Sequence, residues 1–154
     1  MKEIVIHLST SAAPKVDNVP SPDLCIQYLV AVMLLDHTVS FRAAHDKARM
    51  TDAVVLRQRD KVKVVAEQKL EDLLPRRVAV VEIILADGTR LREENDTVRG
   101  TPENPMTKDE IVDKARDLIV PVLGAAKCAK LVEAIYALEQ VRDIRELRPS
   151  MQRT

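Results

Sequence analysis

The chain has almost no aromatic surface: one Phe, two Tyr and no Trp among 154 residues, 2% in all. That leaves no stacking platform for nucleic-acid bases, so any core must be built from Val, Leu, Ile and Ala. A charge excess is missing too. Twenty-four basic side chains are balanced by twenty-four acidic ones, and no segment forms a basic stripe. Neither nucleic acid nor an anionic membrane is therefore an expected partner. The only glycines are Gly88, Gly100 and Gly124; each reads as a turn or a stop, and none belongs to a glycine-rich phosphate loop. The histidines His7, His37 and His45 fall on different elements, without the spacing of metal ligands. Cys25 and Cys128 lie far apart in apolar helical patterns and read as buried, reduced thiols. No metal and no cofactor is expected. No apolar run reaches the roughly 20 residues of a membrane span. Met1 leads straight into a short mixed stretch with no signal peptide, so the default location is the cytoplasm.

What the chain does have is one strongly apolar run, residues 21–36, SPDLCIQYLVAVMLLD, in a sequence where 31% of residues are charged. Ser21 is placed to cap a helix, Pro22 suits the first helical position, and Asp23 complements the positive end of the dipole. From Leu24 to Leu35 only Gln27 and Tyr28 carry polar groups. A helix apolar nearly all round is buried in a core. The expectation is a helix over at least residues 24–34, in which Gln27 and Tyr28 must find hydrogen-bond partners.

The rest reads in order as follows. Residues 3–8, EIVIHL, alternate and predict a strand containing His7, a cross-strand or surface histidine. Residues 9–20 read as loop. Ser40 is placed to cap a second helix with Phe41, Ala44, Ala48 and Met50 on one face. Thr51 or Asp52 caps a short third helix that buries Val54, Val55 and Leu56. Residues 62–66, VKVVA, predict a strand, and residues 67–75 a charged loop. Residues 76–86, RRVAVVEIILA, give the strongest strand signal and run into Asp87-Gly88, a hairpin signal, with a polar returning strand over 89–98. A more apolar strand beside a charged one predicts a central strand with an exposed neighbour. Residues 100–105 read as loop. Thr107 and Glu110 have capping-box spacing ahead of a helix with Ile111, Ala115, Leu118 and Ile119 on its apolar face. Pro121 limits that helix and Gly124 stops it. A last helix over about 126–141 carries a stripe of Leu131, Ile135, Leu138 and Val141, residues 143–147 add a turn, and Arg148-Pro149 begins a frayed tail.

The fold class is α+β: two layers, a mixed or antiparallel sheet built around the Asp87-Gly88 hairpin and packed by helices, with C-terminal helices following. Composition and pattern alone stop there, because no complete catalytic constellation is legible.

Two stretches go further. DLCIQYLVAVMLLD resembles the "SlqY-x-vAxaLldG" helix of the MmgE/PrpD family, which includes 2-methylcitrate dehydratase, cis-aconitate decarboxylase and iminodisuccinate epimerase. VEIILADGTRLREENDTVRGTPENPMTKDEIVDKARDLIVPVLG resembles that family's segment from "LxDGxxl" through "NPmt" to "pvlg". Tyr28, Asp36, Asp87-Gly88, Gly100, Asn104-Pro105, Lys114 and Gly124 fall in the family's order. The resemblance runs from about residue 3 to 147.

The resemblance implies a two-domain enzyme: a helical domain and a smaller lid, with the active site in the cleft between them, usually as a homodimer. This sequence is similar to the lid (1–124) and to a C-terminal helical segment (125–154) that packs on the helical domain. The preceding helical domain has no match in it. Neither does the family's lysine- and histidine-containing entry segment, which His7, His37 and His45 do not match. His37 stands where the family has glycine. Tyr28 is the one active-site position carried over. It either faces the cleft, donating to a substrate carboxylate or assisting proton transfer, or packs in the core against a backbone carbonyl. Gln27 reads as a structural hydrogen-bonder and Cys25 as packing. The implied function is the C-terminal part of a 2-methylcitrate dehydratase-like lyase or isomerase acting on a small di- or tricarboxylate. It would be inactive without a helical-domain chain. The alternative is a non-catalytic dimerisation or ligand-binding module. Either way a homo-oligomer is expected.

Overall fold

The computed structural model describes residues 1–152, so the last two residues of the expected 125–154 segment lie outside the described residues. The chain forms two compact units that meet in sequence between Asn104 and Pro105.

In the first unit, strands β1 (Glu3–Ser9), β2 (Val62–Glu67), β3 (Ala79–Ile84) and β4 (Arg90–Asn95) form one sheet in the order β2-β1-β3-β4. β1 and β2 are parallel, with Ile4 opposite Val62. β1–β3 and β3–β4 are antiparallel, with Ile4 opposite Ile83 and Ile83 opposite Leu91. The sheet is mixed and the class is α+β, as expected. A parallel pair cannot be joined by a tight turn and needs a crossover. The chain between β1 and β2 supplies it, carrying α1 (Ala13–Val16), α2 (Ile26–Asp36), α3 (Phe41–Ala44) and α4 (Ala53–Arg59).

Strand alternation fixes which face is covered. Ile4, Ile6 and Val62 are buried, and Ile26, Val30 and Leu34 of α2 pack on them. The other side of α2 presents Tyr28, Ala31 and Val32 to Ala43, Met50 and Val55. α2 thus lies between the sheet and the α3–α4 layer, which is why its sequence is apolar nearly all round. Each Val or Leu buried this way contributes roughly 1.5–3 kcal/mol.

The strands fall where the periodicity places them, and β4 is exposed along its whole length. The hairpin is a three-residue type: Leu85 N–H donates to Thr89 O at 2.9 Å and Gly88 N–H to Leu85 O at 3.1 Å. Gly88 takes φ +90°, which glycine adopts without steric cost.

Local departures from the expectation have physical causes. α2 starts at Ile26, because Ser21 Oγ donates to Asp23 at 2.5 Å and closes a separate turn instead of capping. The loop 9–20 holds α1, and the loop 67–75 holds α5 (Gln68–Glu71). The second helix is short: Ser40 accepts from the Ala43 amide at 3.1 Å, but α3 gives way to a 3-10 turn over Ala48–Thr51. Ala43 and Met50 are buried there, while Phe41 is exposed. Asp52 caps α4 by accepting from Val54 N–H at 2.7 Å, and of the three expected core residues only Val55 is buried.

The second unit begins at Pro105 and holds α6 (Lys108–Leu123) and α7 (Ala125–Tyr136). α6 opens with the expected capping box: Glu110 N–H donates to Thr107 Oγ1 at 3.3 Å and Thr107 N–H to Glu110 Oε2 at 2.8 Å. It runs two residues past Pro121 to Gly124, at φ +83°. Its buried position is Val112, while Ile111 and Leu118 of the expected stripe are exposed. α7 buries Cys128 and Leu131 and ends at Tyr136; Leu138 falls in the 3-10 turn beyond it, and both Leu138 and Ile135, the latter within the helix, are exposed. A 3-10 turn covers Ile144–Leu147. Arg148–Met151 forms a short helix, α8, rather than a frayed tail, with proline in the first turn, where its missing N–H costs nothing.

Candidate functional site

Gln27 and Tyr28, the two polar side chains in the apolar helix, are both buried, at 1% and 0% exposure. They diverge. Gln27 turns to the loop before α2: its Oε1 accepts from the Asn18 amide at 3.0 Å and its Nε2 donates to Asp17 Oδ1 at 2.5 Å. It is the structural hydrogen-bonder expected. Cys25 Sγ donates to the same Oε1 at 3.7 Å, and its thiol is buried and free.

Tyr28 turns to the opposite side. Its hydroxyl donates to Ala43 O at 2.6 Å and lies 3.3 Å from Asp46 O. Both carbonyls belong to the short α3 and the loop after it. The last carbonyls of a helix have no intrahelical partner, and a four-residue helix is too short to hold itself. Tyr28 adds a short bond from the core to a carbonyl that otherwise receives the Asp46 amide at 3.3 Å, as Ser40 supplies the acceptor at the other end. Burial pushes the phenol above its ordinary pKa, so its proton stays in place at neutral pH.

The same loop is clamped from outside. Arg49 donates to both oxygens of Asp36, at 2.6 and 2.7 Å, joining the end of α2 to the 3-10 turn. This bidentate guanidinium holds the Asp36 carboxyl below the usual carboxylate range. His37 follows directly at φ +59°, and its amide closes α2 on Met33 O at 2.9 Å. His45 is exposed, stacked on Phe41 with ring centroids 4.1 Å apart.

His7 is the cross-strand histidine expected, but its partner and a second feature are not legible in the sequence. His7, on the sheet face opposite to Ile4 and Ile6, bonds through Nδ1 to Glu67 Oε1. Its Nε2 is buried without a hydrogen bond, 4.0 Å from Glu82 Oε1. Lys69, then His7, keeps the Glu67 carboxyl below its usual range. Sixty positions separate His7 from Glu67, so only the β1–β2 register brings them together.

The second feature is a groove of about 440 Å³ at the end of the sheet, reached by Lys15, Arg76 and Arg77. The doublet Arg76-Arg77 stood in the sequence, but only the topology places Lys15 beside it. Among the described residues no cluster of His, Cys, Asp and Glu could hold a metal, and no helix is long and apolar enough to cross a membrane.

Fold and site define an α+β domain in which a buried crossover helix on a mixed sheet carries a tyrosine that braces its own loop. The chain belongs to the MmgE/PrpD family: the family model of the MmgE/PrpD C-terminal domain matches residues 1–140. No curated protein matches it.

Proposed function

We propose that this chain is the lid-type part of an MmgE/PrpD lyase or isomerase acting on a small di- or tricarboxylate, in the manner of 2-methylcitrate dehydratase. The observation that carries this is the match of the family's C-terminal domain over residues 1–140. In this reading residues 1–124 are the lid, and the segment from 125 packs on a helical domain, in the same polypeptide or in a partner chain. The chain by itself is inactive. It works in the cytoplasm, in keeping with two free, buried thiols. Burial and two carbonyl acceptors support a positioning role for Tyr28, holding the 41–51 loop, over direct contact with substrate.

The test is an assay of dehydration of 2-methylcitrate by the purified chain alone and with a family helical domain added. Activity only in the mixture supports the proposal. Robust activity of the chain alone overturns it.

A second reading is favoured by one observation. Within the second unit Ile111, Leu118, Val122, Ile135 and Leu138 are all exposed, and large apolar surfaces are rare on monomers. A non-catalytic module covering them with a second copy is the alternative. Sedimentation tests it: a stable dimer without any helical domain supports the module, and a well-behaved monomer counts against it.

A further inference from the structure

We propose that the groove at the end of the sheet binds a small di- or tricarboxylate through Arg77 and Lys15. Three cations reach this groove, Lys15 from α1 and Arg76 and Arg77 from the approach to β3, and no carboxylate lines it. In a chain of balanced charge that is a local segregation. Arg76 is paired with Asp96 at 3.2 Å. Arg77 and Lys15 make no ion pair among the described residues and are exposed. The acid nearest in the hydrogen-bond pattern, Glu71, is held by the Ser11 amide at 2.9 Å and is not part of the lining.

The apolar part of the lining selects the ligand. Leu8, Val16, Leu70 and Val78 belong to it, and Ser9 and Ser11, whose hydroxyls turn to Glu71, complete the lining. A carbon skeleton carrying carboxylates matches both parts, apolar wall and cations. Inorganic phosphate matches only the cations. The volume falls in the range of small-molecule sites, about 300–1,000 Å³. Guanidinium is suited to bidentate contact with a carboxylate, and the Lys15 ammonium adds a point charge for a second one. The Val78 side chain beside Arg77 is buried, which anchors the backbone that presents the guanidinium.

This inference shares the substrate class of the proposed function and rests on it for the choice of probe, but its readout is binding to the chain alone. A failed titration therefore leaves the reading as part of an enzyme intact, and a failed reconstitution leaves the groove intact. The experiment is a titration of the full chain with citrate and separately with inorganic phosphate at fixed ionic strength, followed by amide chemical shifts. Expected is saturable citrate binding with shifts clustered at Ser9, Ser11, Lys15 and Arg77. Arg77→Gln and Lys15→Gln should each weaken it about tenfold, the effect of one lost charge-assisted hydrogen bond. Arg57→Gln, an exposed cation outside the groove, should leave it unchanged. Both test positions are exposed, and the unperturbed amide spectrum of each variant reports that it folds. No saturation, equal binding of phosphate, or citrate binding that ignores Arg77 and Lys15 would each overturn the proposal.

Discussion

The Tyr28 hydroxyl donates to the Ala43 carbonyl at 2.6 Å across fifteen positions of sequence. Helix α2 and the short α3 are thereby joined inside the core rather than at the surface. The family resemblance implies one role for this tyrosine and burial in the core another, and the geometry gives each a distinct experimental signature.

Tyr28→Phe keeps the ring and removes only the donor. The buried Ala43 carbonyl then loses its shorter bond and keeps only the Asp46 amide at 3.3 Å, which costs about 1 kcal/mol. The urea midpoint should fall accordingly. In an enzyme reconstituted with a helical domain, a positioning role leaves turnover within a few-fold. Unchanged stability with turnover down about 10²-fold would instead assign Tyr28 to acid–base chemistry.

Asp36 and Arg49 make stability depend on pH. The carboxyl is held low, chiefly by the Arg49 hydrogen bonds. A group with a depressed folded pKa contributes stability above its unfolded value, about 3.9 for Asp. That contribution is lost as pH falls through the unfolded value toward the lower folded one. Arg49→Gln should therefore lower the urea midpoint at neutral pH, and the gap from wild type should close in acid, below about pH 4. A gap of constant size across that window would show that Arg49 acts by packing alone.

Thr107→Ala removes the acceptor that receives the Glu110 amide, so α6 loses its N-cap at a cost of about 1 kcal/mol. Thr107→Ser keeps the acceptor and should recover most of it. Hydrogen exchange in the first turn of α6 is the direct readout: faster in the alanine variant, near wild type in the serine. Equal exchange in all three would mean that the cap does not limit fraying.

Legibility followed the range of the interaction. Ser40, Asp52 and Thr107 act within three residues of themselves, and each caps the helix its spacing indicates. β3 and the Asp87-Gly88 turn are likewise local. The core helix was legible as buried, because only a helix covered on two sides is apolar nearly all round. Its first turn was not. Ser21 has the chemistry of a cap, but its bond to Asp23 competes, and side-chain pairing within a turn leaves no trace in periodicity. Leu138 drops out of the expected stripe because the helix ends at Tyr136, whereas Ile135 keeps its phase with Leu131 and is exposed all the same. His7–Glu67 and the Lys15–Arg77 groove depend on strand order, with partners about sixty residues apart, and no local pattern encodes that.

His37 ties sequence and structure together most directly. The family resemblance places glycine at this position, and the structure shows the residue in the left-handed region at φ +59° and ψ +13°. There Cβ crowds the following backbone, at a cost of roughly 1–2 kcal/mol for an L-residue. Glycine escapes that cost, although its unfolded chain has more freedom to lose. The conformation is imposed by the stop of α2, since the His37 amide bonds Met33 O and the chain must turn toward Ser40. His37→Gly should therefore stabilise the domain by on the order of 1 kcal/mol, a C-terminal glycine cap in the usual sense. His37→Val should destabilise it by more than that, because a β-branched residue is least tolerant of this region. Thermal or urea unfolding of the three proteins checks the order Gly above His above Val. If His37→Gly were less stable than wild type, the imidazole would have to contribute a contact that outweighs the backbone strain.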